Sequence, residues 1–193
     1  MTKANLAAIP EYDGIADLPA EHASAVKPDC LVGAGVPVGE YAPAFVLPRG
    51  DKGSFGFAQL LGAPFVLHFY SGSEHSWLQQ SACLNAIAPT LEVLGVGLVG
   101  IICADQSRLR HFETYRAGYP VLLDWEPKAL VSRIYGFNRN KASPEMSATY
   151  LVDRRGVINW IAFDQANGRG DSVIILNAVR LHLSRPSPVD TSD

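Results

Sequence analysis

PFVLHFY, Pro64 to Tyr70, followed at once by the polar run SGS (Ser71 to Ser73), decides the fold. A continuous apolar run between a proline and a cluster of turn formers suits a strand buried on both faces. Central strands of helix-covered sheets have that character. Just beyond it, Ser76 and Gln79 have the S-x-x-Q spacing of a capping box, and Leu84, Ile87, Leu91 and Leu94 recur at intervals of three and four. That spacing predicts a helix over Trp77–Leu94 with one apolar stripe, kinked at Pro89 and stopped by Gly95. VGLVGIIC (Val96 to Cys103) then reads as a second buried strand.

Working outward, residues 107–117 suggest a short helix, YPVLLD (Tyr119 to Asp124) a short strand, and residues 127–135 a helix ended by Gly136. TYLVD (Thr149 to Asp153), the turn Arg154-Arg155-Gly156 and VINWIAF (Val157 to Phe163) read as a hairpin, and residues 172–183 as a closing helix. Strands alternating with helices, then a hairpin and a last helix, predict an α/β sheet covered on both faces. Residues 1–33, with Pro10, Pro19 and Pro28 and no sustained period, read as an irregular arm; residues 34–184 as the folded domain; and residues 185–193 (RPSPVDTSD) as a disordered tail.

Composition narrows the function classes. Of 193 residues, 48% are hydrophobic and 18% charged, which fits a globular chain; 16 basic against 19 acidic residues give a net charge of −3 and argue against phosphate-neutralising nucleic-acid binding. The first residues, MTKANLAAIPEYDG, have no basic end leading into an apolar stretch, and no apolar run is long enough to span a bilayer. The expectation is a cytoplasmic protein without a membrane partner. Cys30, Cys83 and Cys103 form neither a C-x-x-C pair nor a disulfide framework.

The order of elements, with these words in it, resembles the peroxiredoxin family (the alkyl hydroperoxide reductase/thiol-specific antioxidant group). The words are VGEYAPAFVLP (Val38 to Pro48), VLHFYSGS (Val66 to Ser73), GVGLVGII (Gly95 to Ile102), YPVLLD and TYLVDRRGVI (Thr149 to Ile158), together spanning about residues 37–183. The resemblance implies a thioredoxin-like fold with a central mixed sheet and helices on both faces, and a homodimer. It also implies hydroperoxide reduction by a cysteine in the first turn of the helix after the Phe-Tyr strand, within P-x-x-x-T-x-x-C, its thiolate favoured by the helix start and by an arginine before the t-F-l-I-D strand. Counted without gaps from Phe69-Tyr70, the proline position is Ser71, the threonine His75 and the cysteine Leu78, while the arginine falls on Ser147. All four have changed, and leucine has no nucleophile. Cys83, five residues after Leu78, stands where some single-domain members carry a resolving cysteine. Aligning Cys83 itself with the peroxidatic cysteine would need a loop five residues longer.

Three functions remain open. The leading expectation is a repurposed enzyme, acting on a small organic molecule in the former pocket by acid–base chemistry around His75 with Glu74 beside it. Histidine titrates near neutrality, and a neighbouring carboxylate can orient it. Ser76, Trp77, Leu78, Tyr70 and Ser147 would line that site, and His68 would join His75 if its ring faced the helix start. A hydrogen-bonded core histidine is the plainer reading of His68. The second function is a thiol oxidoreductase or weak peroxidase working through Cys83, with Cys30 as a possible partner; core packing is its plainer role. The third is a non-catalytic binding module. His68, His75 and Glu74 make only weak metal spacing, so no metal and no cofactor is expected.

Overall fold

The computed structural model describes residues 35–49, 53–70, 74–103, 117–125, 129–136, 146–165 and 171–183. The arm, the tail, Cys30 and nearly all of the helix expected over 107–117 lie outside them. Seven strands lie among the described residues: β1 (Val46–Pro48), β2 (Ser54–Gly56), β3 (Phe65–Tyr70), β4 (Gly97–Ile102), β5 (Val121–Leu123), β6 (Met146–Val152) and β7 (Ile158–Gln165). The helices are α1 (Glu74–Val93), α2 (Leu130–Ile134) and α3 (Asp171–Leu183), with a 3-10 turn at Phe57–Leu60.

β3 lies at the centre of a five-stranded sheet ordered β5-β4-β3-β6-β7. It runs parallel to β4 and antiparallel to β6, so the sheet is mixed, with His68 opposite Gly100 on one side and Thr149 on the other. All six residues of β3 are buried. Alternation then sorts them. Val66 and Tyr70 join a core beneath α1 and α3 with Leu84, Leu91 and Ile175. Phe65, Leu67 and Phe69 join a second core with Phe45, Phe57 and Tyr135. Helices therefore cover both faces, as a thioredoxin-like sheet requires.

Local chemistry explains the ends. Asp124, buried at the close of β5, accepts the backbone N–H groups of Ser132 (2.6 Å) and Val131 (3.3 Å), replacing the missing first-turn partners of α2. The β6–β7 hairpin turns as its sequence predicts: Asp153 Oδ1 accepts from the N–H groups of Arg155 and Val157, and Gly156 takes φ +86°. Two features differ from expectation. α1 begins at Glu74, three residues before Trp77, so Ser76 and Gln79 lie inside its first turns and form no capping box. The β1–β2 hairpin was not expected: only β1 falls within a family word, Val38 to Pro48, and β2 lies beyond it.

Candidate functional site

β3 delivers the chain directly into α1, and the first turns of α1 carry most of the candidates. His75 is exposed, and Gln79, one turn on, donates its amide N–H to His75 Nε2 at 3.1 Å. Glu74 opens the helix; its side chain lies outside the described residues. Ser76 is half-buried, Trp77 is buried at 2% exposure, and Leu78 is half-buried against the helix-side core. Position 78 is thus occupied by packed hydrocarbon, with no nucleophile to ionise.

Beneath α1 lies a polar seam. His68, on the helix-facing side of β3, is fully buried. Its Nε2 donates to Gln80 Oε1 on α1 (3.1 Å), which leaves Nδ1 to accept from the Thr149 hydroxyl on β6 (2.9 Å). Burial drives its pKa from 6.5 down to about 4, opposed by the hydrogen bond it donates to Gln80. The ring is neutral at pH 7, with both nitrogens engaged inside the protein. Ser147, two residues before Thr149 on β6, is buried on the same sheet face.

His68 and His75 do not share a site. A helix advances 100° per residue, and α1 turns Trp77, Gln80, Ser81 and Leu84 to the sheet. His75 stands on the opposite, solvent face with Gln79 and Ala82. The two-histidine arrangement, and any metal held between the pair, is excluded by that geometry.

A second polar group adjoins the seam. Tyr70, on β3, and Tyr119, just before β5, share a hydrogen bond between their hydroxyls, and Tyr119 also reaches Ser81 Oγ at 3.4 Å. Burial pushes both phenols up, Tyr70 well above its ordinary range. A negative charge on Cys83 further opposes ionisation of Tyr119, which places that sulfur within electrostatic reach of the phenol. Cys83 is half-buried on the flank of α1, and Cys103 at the end of β4 is half-buried as well. Gly100 makes room for the tyrosine pair, because a Cβ there would lie 2.6 Å from Tyr70 Cε2.

Sequence reasoning singled out His68 and Tyr70 and missed their partners Gln80, Thr149, Ser81 and Tyr119. One signal was present: Gln80 and Ser81 fall on the apolar stripe of α1, where a polar side chain must find a buried partner. No described helix is long and apolar enough to cross a membrane.

The family model described as AhpC/TSA family matches residues 38–161. Among curated proteins no relative matches. Solved structures of similar fold include a cysteine-to-serine mutant of PrxQ from Xylella fastidiosa (15% identity, 78% of this chain and 99% of that chain, TM-score 0.67). They also include reduced 2-Cys peroxiredoxin from Plasmodium vivax (18% identity, 77% and 84%, TM-score 0.63). A third is a secreted disulfide oxidoreductase from Mycobacterium tuberculosis (18% identity, 71% and 95%, TM-score 0.56). At these identities the likeness speaks for the fold alone.

Proposed function

Because the chain belongs to the AhpC/TSA family, we propose that it is a thiol-dependent oxidoreductase whose chemistry has left the first turn of α1 and runs through Cys83. One observation carries this reading. The inherited position, Leu78, is packed against the core, while Cys83 on the same helix is half-buried and within electrostatic reach of the Tyr119 phenol. The seam histidine supplies no alternative, since it is neutral and engaged at both nitrogens.

The step is simple to balance. The Cys83 sulfur attacks a hydroperoxide oxygen, an S–O bond forms as the O–O bond breaks, and the departing alkoxide takes the thiol proton; the products are a sulfenic acid and an alcohol. A second thiol then displaces water from the sulfenic acid, leaving a disulfide. Cys83 lies in the interior of α1, away from the helix start whose dipole favours a thiolate, so its reaction with peroxide is slow by family standards.

A second reading keeps the former pocket as an acid–base site for a small organic molecule. It is favoured by one observation, the exposed His75 ring oriented by Gln79 on the first turn of α1. Two variants separate the readings. With excess small thiol as reductant, turnover of an alkyl hydroperoxide or of bis(2-hydroxyethyl) disulfide is lost in Cys83→Ser and retained in His75→Ala. Loss in His75→Ala with Cys83→Ser intact would reverse the assignment. No turnover by the wild-type protein would leave the scaffold as a binding module.

A further inference from the structure

Behind Tyr119, on the far side of α1 from β6, a groove of about 340 Å³ opens between the second half of α1 and the start of β4. Asn85, Pro89 and Glu92 of α1 line it, with Leu98 of β4 and the segment Tyr119-Pro120. Two of these residues are prolines, and each removes a donor from a carbonyl on the groove. In an α-helix the N–H of residue 89 would bond the carbonyl of Asn85; Pro89 has none to give.

The β4–β5 ladder ends for the same reason. Gly100 N–H donates to Pro120 O, and Asp124 N–H donates to Ile102 O. Stepping back along this parallel ladder two residues at a time, the donor for the Leu98 carbonyl would be residue 120, again a proline. The chain just before it is drawn off the sheet, because Gly118 N–H donates to Asn85 Oδ1 on α1 at 2.9 Å. Gly97 N–H bonds Pro64 O on the β3 side, so Leu98, its neighbour in an alternating strand, directs its backbone groups away from β3 toward the groove.

The groove therefore brings together two backbone carbonyls deprived of their regular donors, an apolar wall and, among the described residues, one carboxylate, Glu92, and no lysine or arginine. A carbonyl whose regular backbone donor is a proline keeps its acceptor capacity for a ligand that supplies the hydrogen. Acceptors next to a carboxylate call for a cation rich in N–H groups on an apolar stem. We propose that this groove is a binding site for an alkylguanidinium or alkylammonium group, carried either by a small organic amine or by a basic side chain of a peptide. The site is separate from Cys83 and does not depend on its chemistry.

The test is a titration of the full chain, followed by amide NMR, with butylguanidinium, butylurea as its neutral isostere, and the blocked peptide acetyl-Gly-Arg-Gly-amide. Butylguanidinium should shift the amides of Leu98, Gly118 and Glu92 saturably, with butylurea at least about tenfold weaker. Glu92 is exposed, so Glu92→Gln should fold normally and weaken the cation about threefold to tenfold. Pro89→Ala restores the helix donor and should raise Tm while weakening the cation several-fold, a pairing that a merely structural proline would not show. Tighter binding of the peptide than of butylguanidinium would identify a peptide side chain as the source, and the reverse order a free amine; either supports the site. Equal binding of urea and guanidinium, unchanged affinity in both Glu92→Gln and Pro89→Ala, or no saturable shift at the groove would overturn it.

Discussion

Protonating His68 should remove one of the larger single contributions to this fold's stability, and the effect can be sized. The ring is fully buried between Thr149 and Gln80, and its pKa falls from 6.5 in an exposed chain to about 4 in the folded protein. At 1.36 kcal/mol per pH unit, that gap is worth about 3 kcal/mol. Its sign follows from proton counting. Between pH 6.5 and 4 the unfolded chain holds a proton that the folded protein refuses, so stability rises with pH across that window. The contribution is complete above pH 6.5, is lost as pH falls toward 4, and changes no further below.

Urea unfolding curves from pH 8 to pH 4, followed by tryptophan fluorescence, would measure it. Carboxylates also titrate near the lower end, so the comparison is with His68→Gln, which has nothing to ionise there. The variant is less stable at pH 7, because an amide does not reproduce both hydrogen bonds. Relative to it, the wild-type protein should lose about 3 kcal/mol between pH 7 and pH 4. Parallel pH profiles for the two proteins would refute the reasoning, as would an NMR titration of the folded His68 ring centred near 6.5.

Other outcomes follow from the same contacts. Gly100→Ala sets a Cβ 2.6 Å from the buried Tyr70 ring and should cost about 1–3 kcal/mol, read as a lowered urea midpoint. Tyr119→Phe removes the hydroxyl that joins Tyr70 to Ser81 and should cost about 1 kcal/mol in the same assay. Leu84→Ala, at a fully buried position of α1, should cost about 2–5 kcal/mol. Leu78→Cys returns a thiol to the inherited position but packs it against the helix-side core, where burial disfavours a thiolate; peroxide consumption should stay at the wild-type rate.

What the sequence disclosed was whatever depends on periodicity and turn chemistry. PFVLHFY could be read as a central strand because burial on both faces leaves no polar alternation, and the structure buries all six residues of β3. The hairpin was legible in Asp153 and Gly156, whose side-chain acceptor and positive φ form its turn. The start of α1 was not, because Ser76 and Gln79 imitate a cap that the helix passes by. The polar seam was hidden for another reason. His68, Gln80 and Thr149 are 12 and 81 residues apart in sequence, and only the strand register and the face of α1 bring them together. The pairing of His68 with His75 failed on a helix rotation that residue spacing alone does not reveal. The groove at Pro89 and Pro120 rests on N–H groups that proline lacks, and their place opposite particular carbonyls becomes visible only when the neighbouring ladder is in place.

The central claim, that the working thiol is Cys83, is tested most directly by the intact mass of the native protein after stoichiometric hydrogen peroxide. A thiol trap and mapping of the modified residue complete the measurement. The account predicts one modification on the folded chain, mapped to Cys83 and absent from Cys83→Ser. A native protein that stays unmodified at Cys83 until it is unfolded would contradict it.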